Sequence, residues 1–410
     1  MNIMIKPSKL RGSVKIPASK SCAHRTLICA ALADGKSVIS GISDSDDIRA
    51  TIGAMTALGA NFNRIGDGSY EVNGIRKSPK SAVVDCLESG STLRFIIPIA
   101  AAFGVDTEFR GKGRLPERPI DIYIRELGKH GIKFEYNNTM PFTLSEKLSS
   151  GIFEVEGNIS SQFITGLLFA LPLLENDSII RLTSKLESRP YVDITIDCLR
   201  QFGIEITEND TEFHIKGGQK YHSCNYNVEG DYSQAAFFFT ANALGSEIEV
   251  ENLNKSSVQG DKKILDIISE MCYNDTMSCF KADCSDIPDL VPILTVLGCF
   301  GTSTSVIYNA KRLRIKESDR LKAISETLNA LGGNISITDD GLIIEPINAF
   351  HGGTVSSFGD HRIVMAAAIA ATRSTGNVII KGADAVNKSY PHFFRDYIML
   401  GGNANVITLE

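Results

Sequence analysis

A period of about 70 residues constrains the fold of this chain more than any single motif does. Segments with helical patterning end in a Leu-Gly-like signal and give way to an alternating strand, a polar turn and a second strand. Leu58-Gly59-Ala60 precedes such a pair at 61–74, His130-Gly131-Ile132 at 133–144, Phe202-Gly203-Ile204 at 205–216 and Leu331-Gly332-Gly333 at 334–346. Leu400-Gly401-Gly402 leads into a last strand, and a weaker copy with Cys272 in the glycine place precedes 277–282. Positions 59, 131, 203, 272, 332 and 401 are 72, 72, 69, 60 and 69 apart. Glycine suits the residue after a helix because left-handed backbone costs it little. Chance helix endings would not keep this spacing, so the chain reads as six repeats. Each repeat also holds a second helical stretch, at 22–33, 93–103, 163–174, 235–244, 290–300 and 363–371, apolar on most faces and therefore expected to be buried. Six repeats with buried helices predict two three-repeat domains. Glu229-Gly230-Asp231, midway through the count, is the candidate hinge.

The residues in front of the helices carry the chemistry. Leu313-Arg314-Ile315-Lys316-Glu317-Ser318-Asp319-Arg320 sets three cations around one carboxylate, just before an amphipathic helix over 321–332 with Ser318 and Asp319 as N-cap types. Ser19-Lys20-Ser21-x-x-His24-Arg25 opens the first apolar helix and Glu88-Ser89-Gly90-Ser91-Thr92-x-Arg94 the second. Gly157-Asn158-x-Ser160-Ser161-Gln162, Ser188-Arg189-Pro190-Tyr191, Glu229-Gly230-Asp231-Tyr232-Ser233, Asp286-x-Pro288-Asp289 and Gly359-Asp360-His361-Arg362 open others. Arg118-Pro119 is expected to open the helix ending near Lys129, with the proline at its first position. Ser, Asp and Pro there are plain capping chemistry. Lys20, Arg25, Arg94, Arg118, Lys316, Arg320 and Arg362 are not, because a cation at the positive end of a helix costs about 0.3–1 kcal/mol. A bound polyanion would compensate that repeated cost, and an acid left among the cations, Glu317, is a candidate proton carrier. Gly90 beside Ser91 and Thr92 lets a backbone N–H approach an anion, but the pattern is not a nucleotide-binding loop.

Composition removes several alternatives. With 42 Lys and Arg against 48 Asp and Glu, the net charge of -6 argues against a sequence-independent nucleic-acid binder. Residues 1–10 have no apolar run, so no secretory signal is expected, and the apolar runs at 95–105 and 163–174 fall short of the roughly 20 residues that span a bilayer. Nine scattered cysteines without a C-x-x-C pair or a paired histidine predict a reduced protein with no structural metal.

Taken in order, these motifs resemble the 5-enolpyruvylshikimate-3-phosphate synthase (3-phosphoshikimate 1-carboxyvinyltransferase) family of enolpyruvyl transferases over nearly the full length. Besides the helix starts above, the resemblance rests on Glu117-Arg118-Pro119-Ile120, Ser160-Ser161-Gln162-Phe163, Ile287-Pro288-Asp289 and Lys388-Ser389-Tyr390-Pro391. It implies an α/β, two-domain inverted α/β barrel of six βαβαββ repeats, with residues 1–18 plus 230–410 in one domain, 19–229 in the other, and the active site in the cleft between them. It implies transfer of the carboxyvinyl group of phosphoenolpyruvate to the 5-hydroxyl of shikimate 3-phosphate by a cytoplasmic monomer, with no metal, no organic cofactor, no nucleic acid and no membrane. Carried over by position, Lys20, Ser21, Arg25, Ser160, Ser161, Gln162, Ser188, Asp289 and Lys316 would hold shikimate 3-phosphate. Lys20, Gly90, Arg118, Gln162, Arg320, Arg362 and Lys388 would meet phosphoenolpyruvate. Lys20, Asp289 and Glu317 would be catalytic, Asp289 taking the hydroxyl proton and Glu317 giving one to the methylene carbon.

Two positions depart from the family pattern. Glu88 replaces a common Asn near the expected phosphate, and Arg312 stands where some members have Asn. Gly90 is the small residue of forms sensitive to glyphosate, which implies inhibition competitive with phosphoenolpyruvate. The sister transferase acting on UDP-N-acetylglucosamine commonly carries a reactive Cys near 110–119, but none occurs between Cys86 and Cys198. A non-catalytic anion-binding repeat protein leaves Asp289 and Glu317 unused, and an RNA 3′-phosphate cyclase relative wants a nucleotide site that is not found.

Overall fold

A computed structural model of the chain describes residues 1–273 and 276–408. The chain divides into two units, Met1–Pro17 with Gly230–Glu410, and Ala18–Glu229. Each has its own apolar core.

Among the described residues five of the repeats appear as four-stranded sheets of one pattern, and the fourth keeps only two-stranded pairs. In the second repeat Ser81–Asp85 runs parallel to Asp106–Arg110, which pairs antiparallel with Phe142–Ser145, which pairs antiparallel with Lys133–Glu135. The third repeat, built from Ile152–Val155, Ser178–Leu182, Glu212–Ile215 and Ile206–Glu208, repeats this order, as does the fifth from Lys281–Asp283, Ser305–Tyr308, Leu342–Glu345 and Asn334–Ile337. The expected glycines close their helices with φ between 79° and 110° at Gly59, Gly131, Gly203, Gly332 and Gly401. The weak copy lacks that turn, since Cys272 has φ -95°. Its expected strand at 277–282 breaks into Thr276–Met277, paired with Cys272–Tyr273, and Lys281–Asp283.

The repeats are not contiguous in the chain, which the period alone did not show. Asn225–Asn227 supplies the first strand of the first repeat, parallel to Lys36–Ser40. Arg11–Lys15 does the same for the fourth, parallel to Glu247–Glu251. Asn2–Lys6 fills the hairpin place of the sixth, between Val378–Lys381 and Asn403–Ile407. A strand at either end of a unit would otherwise leave an open ladder of unpaired backbone groups.

The apolar helices are Lys20–Leu32, Gly90–Phe103, Ser161–Ala170, Tyr232–Ala243, Val291–Gly298 and His361–Ala370. In Ser161–Ala170 every residue but Gln162 is buried, and a side chain such as Phe163 or Leu167 contributes about 1.5–3 kcal/mol by leaving water. Five of the six carry a side-chain N-cap: Ser19, Ser89, Ser160, Asp231 and Asp360. One expected start is corrected. The helix after Arg118-Pro119 is Asp121–Lys129, and Leu115–Glu117 forms a 3-10 turn instead. Arg118 precedes a proline, which disfavours helical backbone; it is extended, with φ -79° and ψ 131°. No helix among the described residues is long and apolar enough to cross a membrane.

Candidate active site

Within the unit Ala18–Glu229 the helix starts singled out above are brought together. Lys20 opens its helix, and its ammonium meets Asp47 Oδ2 at 2.7 Å, both side chains largely buried. One turn on, Arg25 is 3% exposed and ties three helices. Its Nε donates to Thr195 Oγ1 (2.8 Å), Nη1 to Ser21 O (2.7 Å) and Nη2 to Tyr191 O (2.9 Å) and Thr165 Oγ1 (3.5 Å). Of its five N–H groups, one on Nη1 is not accounted for by these bonds. Gln162, at the start of Ser161–Ala170, accepts from Arg94 Nη1 at 2.7 Å and donates to Ser91 Oγ at 2.9 Å, which links that helix start to the Gly90 turn. Ser160 caps the same helix through Gln162 N–H. Ser188 is buried in left-handed backbone with φ 57°, a costly state for a non-glycine residue, and its hydroxyl makes no capping bond to the helix Arg189–Gln201.

Arg118 lies against Gly90. A Cβ on Gly90 would run into Arg118 Nη1 and lie 2.5 Å from its Cζ. Gly90→Ala therefore displaces the guanidinium, at little cost to folding because the clash is with the end of a flexible side chain. The expected result is an unchanged melting temperature with a raised KM for phosphoenolpyruvate; steady-state kinetics showing the parent's KM would refute the assignment of Arg118. Glu88, the departure from the family pattern, has its carboxyl group against the left-handed turn at Gly113.

In the unit Met1–Pro17 with Gly230–Glu410, a second set forms around Arg320, 1% exposed and the first residue of the helix Arg320–Ala330. Its three nitrogens each meet a different carboxylate: Nη1 Asp289 Oδ1 at 2.7 Å, Nη2 Glu317 Oε2 at 2.7 Å and Nε Asp360 Oδ2 at 2.8 Å. Arg362 Nη2 donates to Asp289 Oδ2 at 2.8 Å and to Ser233 Oγ at 3.0 Å, so Asp289 bridges two guanidinium groups. Ser233 in turn donates to the cap residue Asp231 at 2.7 Å. Lys388 Nζ donates to Gly359 O at 2.8 Å. Four helix starts, at Tyr232, Pro288, Arg320 and His361, thus meet through four residues.

The electrostatics follow from burial and these pairs. Burial pushes the Asp289 carboxyl up, but Arg362, Arg320 and Lys316 together overcome it and hold the group well below the usual carboxylate range. Burial, reinforced by Arg320 and Arg312 against the pull of Asp289 and Glu317, lowers the Lys316 ammonium to about 8. Arg312 itself donates to Ser285 O. Part of the compensation expected from a bound polyanion is already present within the protein, where Asp47, Asp289, Glu317 and Asp360 partner several of the cations at helix starts.

Sequence reasoning missed three of these groups as site members. Asp360 was read as a cap, which it is through Arg362 N–H at 2.9 Å, but its other oxygen takes Arg320 and Ser318. Asp47 gave no signal beyond an acid in a helix first turn, where acids are ordinary. Arg94 was noted as a cation without a role, and it orients Gln162. Among the described residues no group of three or more His, Cys, Asp and Glu could hold a metal ion.

The sequence matches the EPSP synthase (3-phosphoshikimate 1-carboxyvinyltransferase) family over residues 4–397. Curated relatives named 3-phosphoshikimate 1-carboxyvinyltransferase include those of Clostridium novyi (strain NT), 46% identical, and Clostridioides difficile (strain 630), 45% identical, each match covering 98% of both chains. Among solved structures, an EPSP synthase from Acinetobacter baumannii has the same fold, with a TM-score of 0.84 at 22% identity over 99% of this chain and 100% of that one.

Proposed function

This chain belongs to the EPSP synthase family, and we propose from that premise that it transfers the carboxyvinyl group of phosphoenolpyruvate to the 5-hydroxyl of shikimate 3-phosphate, releasing phosphate. It is a transferase of the shikimate pathway, and its α/β fold is that of the enolpyruvyl transferases. The observation that carries the reading is the family match over residues 4–397. Each unit supports it by gathering cations at several helix starts, where orphan N–H groups and the dipole already favour anions.

In this reading Lys20, Ser21, Arg25, Ser160, Ser161, Gln162, Ser188, Asp289 and Lys316 bind shikimate 3-phosphate. Lys20, Gly90, Arg118, Gln162, Arg320, Arg362 and Lys388 bind phosphoenolpyruvate. In the addition step the 5-oxygen bonds to C2 of phosphoenolpyruvate, its proton passes to Asp289, and Glu317 gives a proton to C3. In the elimination step the bond from C2 to the phosphate oxygen breaks, C3 returns its proton to Glu317, and phosphate leaves with the proton that Asp289 took. Asp289 is a weak base while it bridges two arginines, and Glu317 beside Arg320 is poorly placed to keep a proton. Both roles therefore need the arginines to turn toward substrate.

Lys316 makes the proposal pH-dependent. With the free ammonium lowered to about 8, a bound phosphate or carboxylate raises it again, since the anion favours the charged form. Below pH 8 the lysine is already charged and affinity is full. Above it, binding must take up a proton, and affinity for shikimate 3-phosphate falls by up to about tenfold per pH unit. Titration calorimetry from pH 7 to 9.5 should show this loss in the parent chain and not in Lys316→Met; a parallel loss in both would remove Lys316 from the site.

One assay tests the reaction itself: phosphate release from phosphoenolpyruvate with shikimate 3-phosphate or UDP-N-acetylglucosamine as acceptor. Release only with the former is expected, and release only with the latter overturns the reading. We also place the enzyme in the cytoplasm, a reducing compartment that suits the buried pair Cys198 and Cys29, whose thiols are hydrogen-bonded at 3.7 Å. Recovery of the activity in an exported fraction contradicts that placement.

A further inference from the structure

We infer that His24 is a positioning residue for this reaction: a one-way chain of hydrogen bonds from its ring holds the Gly90 turn at a set distance from the Lys20 ammonium. The inference rests on the reading of Lys20 and Gly90 as groups that bind phosphoenolpyruvate.

The chain runs through four buried side chains, His24, Thr51, Thr92 and Ser89, none more than 1% exposed. His24 Nδ1 lies 2.7 Å from Thr51 Oγ1, Thr51 Oγ1 lies 2.7 Å from Thr92 Oγ1, and Thr92 Oγ1 donates to Ser89 Oγ at 2.8 Å. Each hydroxyl has one proton to give. Since Thr92 gives its proton to Ser89, Thr51 must give its own to Thr92, and His24 must donate from Nδ1 to Thr51. Burial, with the charges of Lys20 and Arg25, holds the imidazole well below its ordinary pKa, so the ring is neutral and carries a single N–H. Nε2 is buried and has no hydrogen-bond partner among the described residues, so nothing competes for the Nδ1 tautomer.

The chain connects three helices at the level of the candidate site. Lys20 and His24 are one turn apart on Lys20–Leu32, and their partners Asp47 and Thr51 are one turn apart on Asp46–Ala57. The two pairs are successive rungs between these helices. Ser89 and Thr92 flank Gly90, and Ser89 also accepts Thr92 N–H at 3.1 Å. Thr92 Oγ1 approaches Asp47 O at 3.5 Å as well. The rung that holds Lys20 and the turn that presents Gly90 therefore share one network. Any shift of its far end moves an anion-binding N–H relative to an anion-binding ammonium, and an anion that bridges the two then binds less tightly.

The test uses the full chain with His24→Leu, Thr51→Val, the double variant and His24→Asn, whose amide N–H stands close to where Nδ1–H stood. His24→Leu and Thr51→Val should each raise KM for phosphoenolpyruvate roughly five- to tenfold, the worth of one neutral hydrogen bond, with kcat and the Kd for shikimate 3-phosphate unchanged. The double variant should be no worse than either, because both cut the same chain, and His24→Asn should recover most of the loss. Hydrogen–deuterium exchange in the segment 89–93 should speed up in the first two variants and not in His24→Asn. Parent KM and parent exchange in Thr51→Val overturn the inference, as do equal losses for both substrates or an Asn variant as poor as Leu. If the parent chain releases no phosphate from phosphoenolpyruvate, the reaction reading fails, and the exchange data still decide whether His24 holds the turn.

Discussion

Glu317→Gln should lower turnover by about 10²–10⁴-fold, the usual worth of a general acid, and at the same time tighten phosphoenolpyruvate binding roughly tenfold. The two effects have one origin. Arg320 already meets three carboxylates, and a substrate carboxylate that binds it must take the place of one. Asp360 is fixed by its cap of the helix His361–Ala370 and by Ser318, and Asp289 is expected to stay on Arg320 while Arg362, its second arginine, turns toward substrate. Glu317 stands on the bend before its helix and not within a helical turn, and we expect it to be the one that yields. In the proposed mechanism, leaving the guanidinium would let Glu317 hold a proton, so the exchange that binds substrate would also ready the acid. The glutamine variant cannot deliver a proton, and it competes less well for Arg320 because a neutral amide oxygen is a weaker acceptor for a guanidinium. Binding would be followed by calorimetry with shikimate 3-phosphate present, and turnover by phosphate release. Weaker phosphoenolpyruvate binding in Glu317→Gln would falsify the exchange, and near-parent turnover would remove Glu317 as the acid.

Arg25→Ala should weaken shikimate 3-phosphate binding by on the order of 10²-fold, with a much smaller change for phosphoenolpyruvate, as expected for loss of one or two charge-assisted hydrogen bonds of about 1.5–3 kcal/mol each. The arginine also knits its helix to those carrying Thr165, Tyr191 and Thr195, so the variant should melt earlier. Arg25→Lys separates the two effects. It keeps a charge but cannot reproduce the fork that meets Ser21 O and Thr195 together, so it should restore part of the affinity and little of the stability. Equal losses for both substrates in Arg25→Ala would mean that Arg25 only supports the fold.

The repeats, their helix endings and their buried helices were legible from the chain because each is a local signal. A glycine after a helix needs only its own backbone freedom, and Gly59, Gly131, Gly203, Gly332 and Gly401 all show it as positive φ. The apolar stretch at 163–174 announces burial by its composition, and Phe163, Leu167 and Phe169 are fully or almost fully buried. The cations at the helix starts were legible for the same reason, since a charge at the wrong helix end can be recognised from a few neighbouring residues. The start after Pro119 was misplaced because two local rules compete there, proline as a first helical residue and the extended backbone it imposes on Arg118.

The sequence by itself determined a six-repeat α/β chain with anion-binding helix starts and two marked acids, because spacing, capping and charge are written within single turns. Only the tertiary structure decided that Asp360 pairs with Arg320 across 40 positions, that Ser233 meets Arg362 across 129, that Asp47 takes Lys20, and that Asn2–Lys6 completes the last sheet. Such pairs form because helices and strands distant in the chain pack side by side, and a buried charge then takes whichever partner the packing delivers.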